Sequence, residues 1–226
     1  MKKLGQKQFE YYCSNTDFLS HFDFDITPYL SVVEFDGDET ILHEGTRPPF
    51  LYYIISGSLK RYVTHENGRV SLVNFLSGPC FIGEIEMLQK QRVAKGVKAI
   101  TACVAFAVDF AACEDKILND NKFLRHLIFY LSRNSVKSGY RQAANRAWPL
   151  KNRLARFILN TSHNNIYRQR HTETSEYLGV TYRHLLYVIA ELVEAGILCR
   201  TKRGYEITDR PALEKLAAVM PAERQI

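Results

Sequence analysis

Residues 175–196 read SEYLGVTYRHLLYVIAELVEAG, and the glycine in the middle limits what the segment can become. Helical spacing runs up to Leu178 and resumes at Tyr182, so two helices meet at Gly179. Gly179 supplies the positive φ that so sharp a turn requires. Thr172 or Thr174 caps the first helix, Val180 plugs the angle, and Thr181 caps the second. Leu185, Val188, Ile189, Leu192 and Val193 form the second helix's buried stripe. Tyr182, Arg183, Leu186 and Tyr187 then lie toward its open side, with His184 beside them. This is the outline of a helix-turn-helix, whose second helix offers its first turns to a DNA major groove. A structural pair of helices shares that outline, so the rest of the chain has to choose.

Two features choose DNA. The tail GILCRTKRGYEIT reads as two strands around the turn Lys202-Arg203-Gly204, a wing that sets Lys202 and Arg203 against phosphates. A short helix, PALEKLAAVM, closes the chain. Upstream, residues 121–172 carry 11 basic and no acidic side chains, whereas residues 1–120 carry 12 and 16. A long block without a carboxylate suits a polyanion, double-stranded DNA above all, although a solvated helix face gives the same pattern. The candidate DNA contacts are Thr181, Tyr182, Arg183, His184, Leu186, Tyr187, Lys202 and Arg203. Arg183 can read guanine through O6 and N7.

The first half has a different texture. SVVEF, ETILHE, FLYYII, SLKRYVT and RVSLVNFL are short β-branched and aromatic runs punctuated by glycine. Such spacing predicts a sandwich or roll. ENGR at 66–69 marks a hairpin turn. KAITACVAFAVDF adds one more buried strand or a pair. From about 115 to 147 the pattern becomes one long helix. Leu124, Leu127, Ile128 and Leu131 fall on one face, and Val136, Tyr140, Ala143 and Ala147 repeat at helical spacing. So long a helix exceeds what one small roll can bury, which predicts pairing with a second copy. Trp148-Pro149 ends it and forms a hinge. PLKNRLARFILNTS restarts a helix with Leu150, Leu154, Phe157 and Ile158 inward and Lys151, Arg153 and Arg156 outward.

Other classes find little support. No apolar run reaches the ~18 residues of a membrane span, and the first residues lack a signal-like apolar stretch. A cytoplasmic protein is the expectation. There is no HExxH, no G-x-S-x-G elbow and no P-loop, and Glu84, Asp109 and Glu114 have no visible partner. Catalysis is not expected. Five cysteines in no CxxC spacing argue, in a cytosolic protein, against a disulfide framework and a zinc ribbon. A second class remains open, a regulatory module that acts on a protein partner.

Along nearly its whole length the chain resembles the Crp/Fnr family of bacterial transcription regulators. The resemblance rests on the glycine-punctuated run with GPCFIGE, the long helix, RLARFIL, TETSEYLGVTYRHLLYVIAELVEAGIL and the winged end. It implies an α+β fold: an N-terminal cyclic-nucleotide-binding-type β-roll over 1–115, a dimerisation helix over 116–147, and a C-terminal winged helix-turn-helix over 148–226. It also implies sequence-specific promoter binding as a homodimer, with RNA polymerase as a partner. A signal in the roll would shift the packing of the long helices and reorient the DNA-binding domains.

The sequence departs from the family in three places. Members that bind cyclic AMP follow Gly-Glu with an Arg-Ser pair for the phosphate. Here Gly83 and Glu84 are present, but only Arg92 stands near that spot, so cyclic AMP is not the expected ligand. Gly83-Glu84 then serves to shape the roll. The oxygen-sensing branch clusters cysteines at its N-terminus. Here only Cys13 is N-terminal, yet Cys13, Cys80, Cys103 and Cys113 would ligate a 4Fe–4S cluster if the fold gathered them. A reactive or disulfide-forming pair and plain buried thiols are the alternatives. Cys199, in the wing, reads as structural. Finally, many members carry Glu at the position of Arg183, Arg at that of Tyr187 and a small polar residue at that of Leu186. The change of donors and acceptors predicts a changed half-site.

Overall fold

The computed structural model describes residues 1–68, 70–89, 94–162 and 164–219, with the backbone alone for 141 and 144–146. The chain divides into two compact units, Met1–Tyr130 and Leu131–Ile226.

The first unit is a roll of two antiparallel sheets. One has the order β1 (Lys2–Lys3), β2 (Leu30–Phe35), β9 (Cys103–Val108), β4 (Leu51–Ser56), β7 (Cys80–Ile82). The other has the order β3 (Thr40–Leu42), β8 (Gly96–Ala99), β5 (Ser58–Thr64), β6 (Val70–Ser77). Every run expected to be a strand is one, and KAITACVAFAVDF supplies the pair β8 and β9. The hairpin falls at ENGR, with Thr64 opposite Val70. Phe35, Tyr52, Ile54 and Ala105 of one sheet share a core with Leu42, Leu59, Val97 and Ala99 of the other. This shared burial is what two facing sheets with alternating apolar faces must achieve. Helices α1 (Gln6–Ser14), α2 (Glu84–Leu88) and α3 (Phe110–Leu118) and two short 3₁₀ turns flank the strands.

The long helix differs from expectation. The pattern from 115 to 147 is not one helix: α3 stops at Leu118 and α4 runs Asn121–Ala147. Asp120 makes the break. Its Oδ1 accepts from the Phe123 amide at 2.9 Å and its Oδ2 from the Asp23 amide at 2.8 Å. A short carboxylate at a helix start competes for backbone donors, so it caps the new helix and ends the old one. The first turns of α4 pack on aromatic groups. Phe123 stacks on Phe22 at 4.7 Å and His126 on His21 at 3.6 Å between ring centroids.

The second unit contains the rest of α4, then α5 (Leu150–Thr161), β10 (Ile166–Tyr167), α6 (His171–Tyr177), α7 (Tyr182–Glu194), β11 (Leu198–Thr201), β12 (Gly204–Ile207) and α8 (Arg210–Ala218). Its sheet has the order β10-β12-β11. No helix among the described residues is long and apolar enough to cross a membrane.

The basic face expected on α5 is partly turned inward. Arg153 is buried, donating from Nε to the Trp148 carbonyl at 2.9 Å and from Nη1 to the Leu178 carbonyl. Arg156 is half-buried and donates to the Ala217 carbonyl at 2.8 Å, while Lys151 pairs with Glu191 at 3.5 Å. Carbonyls at helix ends have no partner in their own helix, and long cationic side chains satisfy them. Part of the acid-free block therefore builds the domain rather than facing a polyanion.

Candidate nucleic-acid interface

The turn between α6 and α7 forms as its sequence dictates. Gly179 has φ 64°, its amide donates to the Glu176 carbonyl at 3.1 Å, and the Val180 amide donates to the Ser175 carbonyl at 2.9 Å. Together these bonds satisfy the last carbonyls of α6 through a residue in the left-handed region. Thr181 is the N-cap of α7: its Oγ1 accepts from the His184 amide at 3.2 Å. The cap of α6 is different. Arg170 occupies that position without a side-chain bond; of the two expected caps, Thr172 lies in the helix's first turn and Thr174 is buried within the helix. Its Oγ1 lies 2.6 Å from the hydroxyl of the fully buried Tyr167. Burial makes that polar pair necessary.

Leu185, Val188, Ile189 and Leu192 are buried along α7, as the stripe requires, and Val193 is half-buried. Tyr182, Arg183, His184, Leu186 and Tyr187 are all exposed, Tyr187 at 64%. The six helical candidates, Thr181 included, thus gather at the open N-terminal end of one helix. On the wing, Thr201 pairs with Gly204, and Lys202 and Arg203 stand exposed at the tip. The wing has a third strand, β10, which the sequence reading missed. The cue was Ile166-Tyr167, two strand formers after a pair of asparagines with positive φ. Gly204 lies so close to β10 that a Cβ there would collide with the Tyr167 carbonyl oxygen. Cys199 does not pack as a structural thiol, because it points out from β11 and is exposed.

The roll places the other candidates. Gly83 precedes α2, and Glu84 is 2% exposed. Its Oε1 lies 3.7 Å from Nη2 of Arg61 on β5, while Oε2 has no hydrogen-bond partner among the described residues. Burial pushes the carboxyl up to about 6, against the pull of Arg61. Sequence reading missed Arg61, which looked like an alternating polar position on a strand. Beside the pair, Leu42, Arg61, Ile85, Glu86, Lys95 and Val97 line a cavity of about 50 Å³, room for one or two waters. Arg92 lies outside the described residues.

The four cysteines do not gather into one site, although Cys80 and Cys103 share the core of the roll. Cys80, Cys103 and Cys113 are buried and Cys13 is half-buried, and among the described residues no three His, Cys, Asp or Glu groups are placed to hold a metal ion. Desolvation raises every one of these thiols, Cys80 to about 12 and Cys113 to about 11. Such thiols stay protonated and are poor ligands and nucleophiles. The residues present do not fit a 4Fe–4S centre within one chain.

Comparison with known proteins agrees with this geometry. Residues 32–120 match the cyclic nucleotide-binding domain and residues 152–216 the Crp-like helix-turn-helix domain. Regulatory protein YeiL of Escherichia coli O157:H7 is 39% identical over 94% of this chain and 97% of its own length. The cAMP-activated global transcriptional regulator CRP of Pasteurella multocida is 26% identical over 63% of this chain and 65% of that protein. Among solved structures, a Crp/Fnr-family transcriptional regulator from Thermus thermophilus superposes with a TM-score of 0.68, at 20% identity over 83% of this chain and 98% of that one. FixK2 from Bradyrhizobium japonicum shares the fold at a TM-score of 0.62, with 17% identity over 83% and 96% of the two chains.

Proposed function

The chain belongs to the Crp/Fnr family of transcription regulators, DNA-binding proteins rather than enzymes, and from that premise we propose that it works as a homodimer paired through α4, with its signal received in the roll. The single observation that carries the dimer is an uncovered apolar line on α4. Phe129, Val136 and Tyr140 recur at seven and four residues and are 66%, 38% and 60% exposed. Large apolar groups at such spacing mark a helix seam. Two copies would set two recognition helices on half-sites about one helical turn of DNA apart. RNA polymerase is the partner at the promoter.

The signal acts at Arg61 and Glu84, where the roll keeps a charge buried with one oxygen unpartnered. A proton or small ligand that repartners Glu84 changes the end of β7 and the start of α2. A redox input through the cysteines has weaker support, because burial keeps the thiols protonated and they form no metal-holding group among the described residues.

Sedimentation of the full chain and of a Phe129→Asp/Tyr140→Asp variant tests the seam. A wild-type dimer and a monomeric variant that binds a two-half-site operator weakly are expected. A wild type that stays monomeric on its operator would reject the dimer. Purification without oxygen tests the signal: iron-free, colourless protein with oxygen-independent DNA binding is expected, and a brown protein that bleaches in air would return the input to the cysteines.

A further inference from the structure

The outward face of α7 offers DNA one hydrogen-bonding fork and a run of apolar groups. Leu185, Val188, Ile189 and Leu192 fix the inward direction. At about 100° per residue the opposite line falls on Arg183, Tyr187 and Ala190, with Leu186 on its flank. All four are exposed. Arg183 is the sole arginine or lysine of α7, and Asn, Gln and Asp are absent from the helix. Glu194 is exposed on the same side but lies about 16 Å further along the axis.

The major groove answers that inventory narrowly. Guanine presents the paired acceptors O6 and N7 that fit an arginine fork, and thymine presents the groove's apolar group, the C5-methyl. Adenine is read by Asn or Gln and cytosine by Asp or Glu, which this face lacks near its N-terminal end. Leu186 stands about 4.5 Å and Ala190 about 10 Å along the axis from Arg183, a span of roughly one to three base pairs at ~3.4 Å each. Resting on the DNA-binding reading above, we infer that this chain reads a half-site in which one guanine, held by Arg183, is flanked within about three base pairs by thymines whose methyl groups pack on Leu186, Tyr187 and Ala190. Tyr182, 47% exposed and 6.4 Å from the His171 ring, lies off this line and serves the phosphate backbone.

The test is selection from random duplex DNA with the full chain, with and without oxygen, followed by atom-level replacement in the selected site. One guanine beside A·T pairs is expected. Replacing a contacted thymine by deoxyuridine removes the methyl alone and should weaken binding about fourfold. Replacing the guanine by 7-deazaguanine should weaken it roughly tenfold. In Leu186→Ala, the deoxyuridine penalty at its thymine should vanish. A specific site that is insensitive to both replacements would overturn the inference and leave the regulator intact. No enrichment of any sequence in either state would remove both. The base replacements leave the protein unaltered, so a poorly folded variant does not obscure the result.

Discussion

The Tyr130 hydroxyl accepts a hydrogen bond from the Phe81 amide at 3.1 Å. It joins α4 to β7, three residues ahead of Glu84, so the helix proposed above as the dimer seam is fastened to the strand that leads into the buried carboxylate. Phe81 is fully buried. Tyr130→Phe leaves its amide without that acceptor and should cost the roll about 1–3 kcal/mol. The urea midpoint of the full chain measures it, and an unchanged midpoint would show that the link adds nothing to stability.

Glu84 gives the roll a pH dependence of definite sign. Its carboxyl is raised in the folded state to about 6. A raised group stabilises fully below its unfolded value, and that contribution is lost as the pH climbs through the folded value. Stability should therefore fall between about pH 4.5 and 6.5 by on the order of 2 kcal/mol from this group. Glu84→Gln should flatten the curve in that window. A Gln variant with the same slope as the wild type would assign the dependence elsewhere.

Arg61→Leu should be far more costly at pH 8 than at pH 5. At pH 8 it strands a buried carboxylate, at about 3–5 kcal/mol. At pH 5 the carboxyl takes up a proton and the loss shrinks. Denaturation midpoints at the two values decide it, and equal losses would mean that Arg61 contributes packing alone.

Gly204→Ala should unfold the wing. Gly204 has φ 131°, and a Cβ there meets the Tyr167 carbonyl oxygen. Backbone strain of this kind costs about 1–3 kcal/mol before the collision is counted. A lower melting transition and loss of DNA affinity are expected, with the roll unaffected.

Lys202→Ala/Arg203→Ala should weaken DNA binding on every sequence alike. Each lost phosphate contact lowers the slope of log affinity against log salt by about 0.9. A slope equal to the wild type's would place the wing tip off the DNA.

The two halves of the chain were legible to different degrees. Alternating apolar runs marked the main strands of the roll, and 3.6-residue spacing with Gly179 and Thr181 marked the recognition helix to the residue. Phe129 is legible too, since it stands seven residues before Val136, whereas Ile128 falls about 100° off that line. Helix α1 was missed along with several short elements. Strands β7 and β10 have three and two residues, too few for alternation to register.

Local sequence was enough to set the periodic elements, most of their caps and the exposed arginine and tyrosines of α7, because these depend on neighbours within a turn or a strand step. Which polar groups go inside was settled in three dimensions. Arg61 meets Glu84, Arg153 meets Leu178, and Asp120 meets Asp23 across long stretches of chain. The burial of Cys80, Cys103 and Cys113 was settled there as well. A charged side chain is buried only where the fold brings it a partner, and the partner's distance along the chain leaves no local mark.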